Sequence, residues 1–341
     1  MKKLVFALLV SACIAACHAQ KRLVLIDQDG AGPGGTDQMS ILALLQAPQV
    51  RVLGITMVTG DGWRDEETLH TLRMLELTGH ADIPVAKGAD HPLIRDREET
   101  LLSAGLYGRA EWLGAWQRVP APLPEGNPSI KPIDEDAADF LVRQVHAHPH
   151  EVTIFAAGPL TNIALAISID PDFATLTRGI VLMGGSLNPV TSDPEFANDP
   201  RHEFNFWFDP EAAHIVLHAD WPSIEVTTAD VSLKAPFTQS ILDAIAQSKT
   251  PAARYIARWS KPTSYMWDEL TACAWIDPSI ITRRAKIYLD TDLSHGPDYG
   301  NTLSWTDKTR PGTETRPVSA QMDVDVARFD KLFVDLMTRE P

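Results

Sequence analysis

The sequence holds 341 residues, 44% hydrophobic and 22% charged, the proportions of an ordinary globular protein with chain enough for one large core or two small ones. That composition excludes general disorder, and a formal charge of −15 argues against binding nucleic acid through its phosphates. A surplus of carboxylates suits a hard cation, although most acidic surface serves only solvation.

Lys2 and Lys3 precede an apolar run from Leu4 to Val10, and small residues follow through Ala16, the order of a secretory signal. The run is too short to span a bilayer as a mature helix. Two processing sites compete: Ile14-Ala15-Ala16-Cys17 resembles a bacterial lipobox that leaves a lipidated Cys17, whereas Cys17-His18-Ala19 suits the ordinary signal peptidase. The expectation is an exported protein, periplasmic or lipid-anchored to the outer membrane, with residues 1–19 as the signal. Loss of Lys2 and Lys3 takes the formal charge from −15 to about −17. Cys13 and Cys17 fall in the processing region, so Cys273 alone remains and no internal disulfide can form.

In chain order, Arg22 to Ile26 is a short β-branched apolar run that stops at Asp27, as a buried strand would, and Gln38 to Gln46 reads as a helix with an apolar face. The pattern recurs. Val50 to Val58 leads to a helix-like Asp65 to Thr78, Val152 to Ala156 leads to Leu160 to Ile169, and Ile180 to Met183 ends at Gly184-Gly185. Alternating strands and helices predict an α/β fold with a mostly parallel central sheet flanked by helices. The five prolines between Pro120 and Pro132 mark a surface loop within a single domain, 21–341, because the pattern resumes after them unchanged. Asp298 to Val318 reads as an irregular excursion before a last helix, Ala327 to Arg339.

In such sheets ligands sit beyond the carboxyl ends of the strands, where Asp27, Gly60-Asp61, Ala157-Gly158 and Met183-Gly184-Gly185 all fall. Asp27-Gln28-Asp29 opens a glycine-rich loop (Gly30, Gly32, Gly34, Gly35) that ends at Asp37. Glycines let the backbone fold tightly enough to turn Asp29 and Asp37 toward one point, and paired carboxylates either share a proton or take up a metal such as calcium. Three uses of this loop stand side by side: a solvated turn, a cation site, or a phosphatase of the haloacid dehalogenase type with Asp27 as nucleophile and Asp29 as general acid.

Longer motifs decide between them. Glu203-Phe204-Asn205-Phe206-Trp207-Phe208-Asp209-Pro210-Glu211-Ala212-Ala213 resembles the EFNxxxDPEAA stretch of the inosine-uridine preferring nucleoside hydrolase family. Ala157 to Ala164 resembles its GPLTNIA turn, Met183-Gly184-Gly185 its MGG, and Trp267-Asp268 its late metal aspartate with the residue before it. Order and spacing agree from about Leu23 to Pro278. The resemblance implies a Rossmann-like architecture and hydrolysis of the N-glycosidic bond of ribonucleosides, small-molecule substrates, to free base and ribose. It implies Ca2+ held by Asp29, Asp37, Asp268 and the carbonyl of Ala157, with Asp29 also taking the proton of an attacking, metal-activated water. Asp61, Met183, Glu203 and Asn205 would grip the ribose while Asp27 supports the loop; a capping or loop role for Glu203 and Asn205, and plain packing for Met183, are the structural alternatives.

Trp267 stands where many members carry histidine. Together with Asp61, in place of asparagine, it resembles the purine-preferring branch, in which an indole stacks on the base and helps it leave. Trp112 and Trp116, in a helix-like Ala110 to Gln117, offer a second stacking face, though packing is the simpler use for both. One departure stands out: the family's first loop usually reads DxDxxxDD, whereas here Asp37 lies eight positions after Asp29 and Thr36 stands where the first paired aspartate is expected. That aspartate normally binds ribose, and a neutral hydroxyl binds it less strongly. A rival expectation follows, a catalytically weak, calcium-bound nucleoside- or sugar-binding protein. His70, His80, His202 and His295 show no zinc spacing, and no Gly-x-Ser-x-Gly elbow is present. Members of the family are commonly homo-oligomers, but no stretch of this sequence identifies an interface.

Overall fold

The computed structural model describes residues 21–107, 116, 122–262, 265–312 and 315–340. The signal segment with Cys13 and Cys17, Trp112, and all of the expected helix Ala110 to Gln117 except Trp116 lie outside them. Elements follow in the order β1 (Arg22–Gln28), α1 (Thr36–Gln46), β2 (Val50–Met57), α2 (Arg64–Thr78), β3 (Val85–Lys87), α3 (Arg97–Tyr107), α4 (Ala137–Ala147), β4 (Val152–Ala156) and α5 (Thr161–Ile169). Then come α6 (Phe173–Leu176), β5 (Gly179–Met183), α7 (Pro194–Asn198), α8 (Phe204–Phe208), α9 (Pro210–His218), β6 (Ile224–Thr227), α10 (Ala229–Ser232), α11 (Gln239–Ala246) and α12 (Pro251–Trp259). The chain closes with α13 (Trp267–Ile276), β7 (Ile281–Thr291), β8 (Thr302–Trp305), β9 (Pro317–Val324) and α14 (Val326–Met337).

Nine strands form one sheet in the order β3-β2-β1-β4-β5-β6-β9-β7-β8. Every pairing from β3 through β9 is parallel, and only β7 runs antiparallel to its neighbours β9 and β8. Apolar residues on successive positions of the central strands are buried on both faces, as a sheet with helices on either side requires. In β1, Val24 and Ile26 join one core layer and Leu23 and Leu25 the other; in β5, Val181 and Met183 oppose Ile180 and Leu182. The first layer is completed by α1, α2, α12, α13 and α14 through residues such as Ile41, Leu72, Ile256, Leu270 and Phe329. The second is completed by α4, α5 and α9 through Phe140, Ile163 and Val216. Among the described residues no helix is long and apolar enough to cross a membrane.

The α/β expectation holds, and the predicted strands and helices recur within a residue or two of their expected limits. The excursion from Asp298 to Val318 is a correction: it contains β8, an edge strand paired to β7, and the first residues of β9. Thr302 to Trp305 is too short to show a period of its own, and pairing with β7 gives it strand geometry. Strand β7 shows little apolar alternation, with Arg283, Arg284 and Lys286 on it near the sheet's antiparallel end.

Phe155 lies wholly buried in β4 at the centre of the first layer. Phe155→Ala should cost about 3–5 kcal/mol through lost burial and the cavity left behind, read as a lower urea midpoint with an unchanged slope.

Candidate functional site

The chain leaves β1 in one direction to build β2 and β3 and returns to its other side for β4, β5 and β6. The border of β1 and β4 is therefore the point where the strand order reverses, which opens a crevice beyond their carboxyl ends. Asp29, the first residue after β1, lies in that crevice, 2% exposed. Its carboxylate is wedged between two glycines. A Cβ on Gly158 would come within 2.8 Å of Oδ1, and one on Gly60 would collide with Oδ2. The Asp61 N–H donates to Oδ2 at 2.9 Å. Gly60 and Gly158 are thus required by close approach of a carboxylate and not by turn geometry.

Asp37 occupies the first turn of α1, and its Oδ2 accepts from the Ala31 N–H at 2.8 Å, which closes the glycine-rich loop on itself. Gly34, with φ 68°, takes the left-handed conformation that glycine permits. Gln38 clamps the loop from inside, donating to the Gly30 carbonyl at 2.8 Å and to Thr71 at 3.1 Å. Asp268 arrives from the far end of the sequence in the first turn of α13, where an acidic residue suits the helix N-terminus. Gln28 Nε2 donates to its Oδ2 at 3.0 Å and to Ser40 at 3.1 Å. Asp37 and Asp268 are each 3% exposed.

Thr36 faces α13. Its hydroxyl donates to Glu269 Oε2 at 2.6 Å and accepts from the Asp268 N–H at 3.1 Å. The side chain expected to meet a ribose is thereby engaged in holding the start of α13 against the start of α1.

Glu203 caps α8, Oε1 accepting from the Asn205 N–H at 3.0 Å and Oε2 from the Phe206 N–H at 3.1 Å, while Oε2 also accepts from Gly185 N–H at 2.7 Å. Asn205 Nδ2 donates to the Met183 carbonyl at 3.2 Å and meets its sulfur at 3.4 Å. The capping use considered for Glu203 is therefore present. It links the end of β5 to the EFN stretch, and Met183, Glu203 and Asn205 form one connected group. Trp267 is half-buried, its ring centroid 5.9 Å from Phe196 and 5.4 Å from Tyr265. Trp116 packs on Phe208 at 5.6 Å and on His91 at 6.3 Å, in keeping with the packing use.

Asp27 is fully buried, and its Oδ1 accepts from Thr56 and Asn162. Burial pushes its pKa up to about 7, against the lowering effect of those two bonds. Enclosed in this way it braces β1 against β2 and α5, and the phosphatase reading loses its accessible nucleophile.

The other carboxylates share one electrostatic condition. Burial, then Asp61 and Asp268, raise Asp29 well above the usual range; burial, then Asp61, Asp29, Asp268 and Glu67, do the same to Asp37. Burial lifts Asp268 to about 8, with hydrogen bonds from Gln28 and Asp37 opposing and Asp61 and Glu203 adding to the rise. Burial and Asp29 raise Glu67, and burial raises Glu269. Gln28, Glu67, Glu269, Phe196 and Tyr265 were not anticipated. Glu67 and Glu269 lie in the first turns of α2 and α13, where nothing in the sequence distinguishes them from solvated acids, and the only signal for Gln28 was its place between two aspartates.

A doubly wound α/β protein with buried carboxylates at its switch point defines the class. The family model described as inosine-uridine preferring nucleoside hydrolase matches residues 24–331, and the chain belongs to that family. It is 30% identical over 322 residues to a probable uridine nucleosidase 1 of Oryza sativa subsp. japonica, covering 89% of this chain and 92% of that one. It is 34% identical over 235 residues to a pyrimidine-specific ribonucleoside hydrolase of Citrobacter koseri, covering 69% and 68%. Among solved structures it resembles a plant nucleoside hydrolase (TM-score 0.74, 28% identity, 94% and 99% covered). It resembles equally a purine-preferring ribonucleoside hydrolase from Gardnerella vaginalis (TM-score 0.74, 25% identity, 93% and 98% covered). The protein is accordingly a hydrolase of N-glycosyl compounds whose family reaction is cleavage of ribonucleosides.

Two outcomes follow from the geometry. An unfolded aspartate releases its proton near pH 4, whereas Asp268 in the fold holds its proton to about 8, with Asp29 and Asp37 shifted the same way. The folded state then carries the extra protons across that window, so stability falls as pH rises through it. With a chelator present, the melting temperature should drop between about pH 4 and about pH 8, as calorimetry would show. Thr36→Val should cost about 1–3 kcal/mol, because it leaves the buried Glu269 carboxyl without its donor, measured by urea unfolding.

Proposed function

We propose that the protein is a calcium-dependent ribonucleoside hydrolase with a purine lean, exported from the cytoplasm. The observation that carries the metal assignment is the gathering of Asp29, Asp37 and Asp268, all nearly inaccessible to solvent, where Asp268 raises the charging cost of Asp29 and both raise that of Asp37. Buried like charges persist only when protonated or matched by a cation. The donors are hard oxygens, which fits Ca2+, and the carbonyl of Ala157, beside Gly158, would be the fourth protein ligand. When bound, the ion would lower the pKa of a water molecule and attract the ribose hydroxyls.

Asp29 is the proton acceptor in this reading. The attacking water gives its proton to the Asp29 carboxylate as its oxygen bonds to the anomeric carbon, and the electrons of the breaking C–N bond leave with the base. The backbone N–H of Asp61 holds Oδ2 in place for that transfer. Asp61, Met183, Glu203 and Asn205 hold the sugar, and the bonds that cap α8 with Glu203 and tie Asn205 to Met183 set their orientation before substrate arrives. Trp267, with Phe196 and Tyr265, presents an aromatic wall to the base. Stacking contributes about 0.5–1.5 kcal/mol beyond burial, enough to bias the enzyme toward the larger purine ring. Thr36 lacks the charge of an aspartate and spends its hydroxyl on Glu269 and Asp268, so the sugar is held less firmly.

Residues 21–341 are taken as one domain, delivered by the segment 1–19 to the periplasm or, through a lipid on Cys17, to the outer membrane. Mass spectrometry of the mature N-terminus distinguishes the two.

The deciding experiment is base release from a panel of ribonucleosides and deoxyribonucleosides by the signal-free protein, with calcium present and then chelated. Calcium-dependent release, fastest for purine ribonucleosides, is expected; Asp29→Ala should abolish it and Asp268→Ala should weaken calcium binding. Normal turnover in either variant refutes the assignment, and calcium binding without any release favours the binding-protein reading that Thr36 motivates.

A further inference from the structure

Away from the carboxylate cluster, His214 and His218 lie one turn apart on α9 and face Asp290 near the end of β7. Their nitrogens straddle one carboxylate. His214 Nδ1 lies 2.7 Å from Asp290 Oδ1 and His218 Nε2 lies 3.0 Å from Oδ2. The two imidazoles are 4.2 Å apart between centroids, and one donor atom from each of the three side chains falls within 4.8 Å of the others. Spacing of i, i+4 on a helix puts both rings on one face.

We propose that His214, His218 and Asp290 form a second cation site, selective for a borderline transition metal such as Zn2+ and distinct from the site proposed for calcium. Two neutral imidazole nitrogens and one carboxylate oxygen are the three-ligand set that zinc takes with water in its fourth position. Hard cations that prefer oxygen throughout are disfavoured by two nitrogen donors. Tetrahedral zinc with bonds near 2.0–2.1 Å sets its ligand atoms about 3.3 Å apart. The two imidazole nitrogens face different oxygens of Asp290, and one donor atom from each side chain lies within 4.8 Å of the others, so side-chain rotation must bring the three onto one ion. His214 is about a third exposed on its side chain, 37%, so an ion and its water can reach the site from solvent.

The surroundings hold the three ligands in register. Thr291 N–H donates to Asp290 Oδ1 at 2.8 Å, which orients the carboxylate, and Thr291 Oγ1 donates to the Pro210 carbonyl at 2.8 Å, which ties β7 to the start of α9. Glu211, one turn before His214, adds negative potential. Arg316, whose Nε approaches the His218 carbonyl at 3.5 Å, is paired with Asp220. An ion here would clasp α9, the helix that follows the EFN stretch, to the antiparallel end of the sheet.

The test is equilibrium dialysis of the full chain against micromolar zinc chloride in excess calcium, with bound zinc counted by atomic absorption and melting temperature followed in parallel. One zinc per chain and a zinc-dependent rise in melting temperature are expected. His218→Gln and Asp290→Asn, which keep polar side chains of similar size, should each lose far more than the roughly tenfold affinity that an outer-shell partner contributes. No retained zinc in the wild type, or equal retention in both variants, overturns the proposal and leaves a simple His–Asp–His hydrogen-bonded cluster. Zinc is counted without any nucleoside, so the result is independent of whether base release occurs.

Discussion

The controlling constraint is the crowding of carboxylates in a place that water barely reaches. Asp29, Asp37 and Asp268 are almost fully buried, with Asp61, Glu67 and Glu203 close enough to raise their pKa values. Such a group is unfavourable by itself, because desolvation and repulsion act in the same direction. Its persistence explains the features packed around it: glycines at 60 and 158 leave room for one carboxylate, the Asp61 N–H orients it, and Gln28 and Thr36 hold Asp268 and its helix. The neutral donors steer the carboxylates without cancelling their charge, the condition under which a divalent cation has most to gain.

The fold makes that crowding possible by supplying rigidity from both sides. Alternate residues of β1 and β5 enter different core layers, so the strand ends that carry the site cannot slide without disturbing two cores. Asp27 adds a polar brace between β1, β2 and α5 through Thr56 and Asn162. Stability and site geometry are thus coupled. Loosening the sheet at Phe155 disturbs the strand that ends beside Ala157 and Gly158.

The sugar and base sides of the proposed site are built differently. Glu203, Asn205 and Met183 are joined by directional hydrogen bonds and belong to the preset part of the crevice. Trp267, Phe196 and Tyr265 meet through ring contacts, which adapt to rings of different size more readily than directional bonds do. That difference is consistent with a family whose relatives carry both pyrimidine-specific and purine-preferring names.

Much of the fold is legible in the sequence alone. The periodic apolar runs dictate the central strands and their helices, and the motifs at Asp29, Ala157, Met183, Glu203 and Trp267 name the family because short-range patterns suffice for both. The antiparallel end of the sheet was not legible, since β7 and β8 show no clear period of their own and are strands by virtue of their pairing with one another and with β9. Nor were the uses of Thr36, Glu67 and Glu269. Thr36 reads as a missing aspartate until α13, more than two hundred residues later, is packed against it. Nothing in the sequence marks the two glutamates as buried, and only the packing around them raises their pKa values. His214, His218 and Asp290 show the same limit: two of the three are adjacent on a helix, and the third is brought to them by the sheet. Sequence by itself determined which chemical groups are present and which segments form the central strands and their following helices, because those depend on local periodicity and residue type. Tertiary structure alone decided which groups share a desolvated space, and hence which carboxylates hold one another's protons, because electrostatic coupling depends on distance and burial and not on order along the chain.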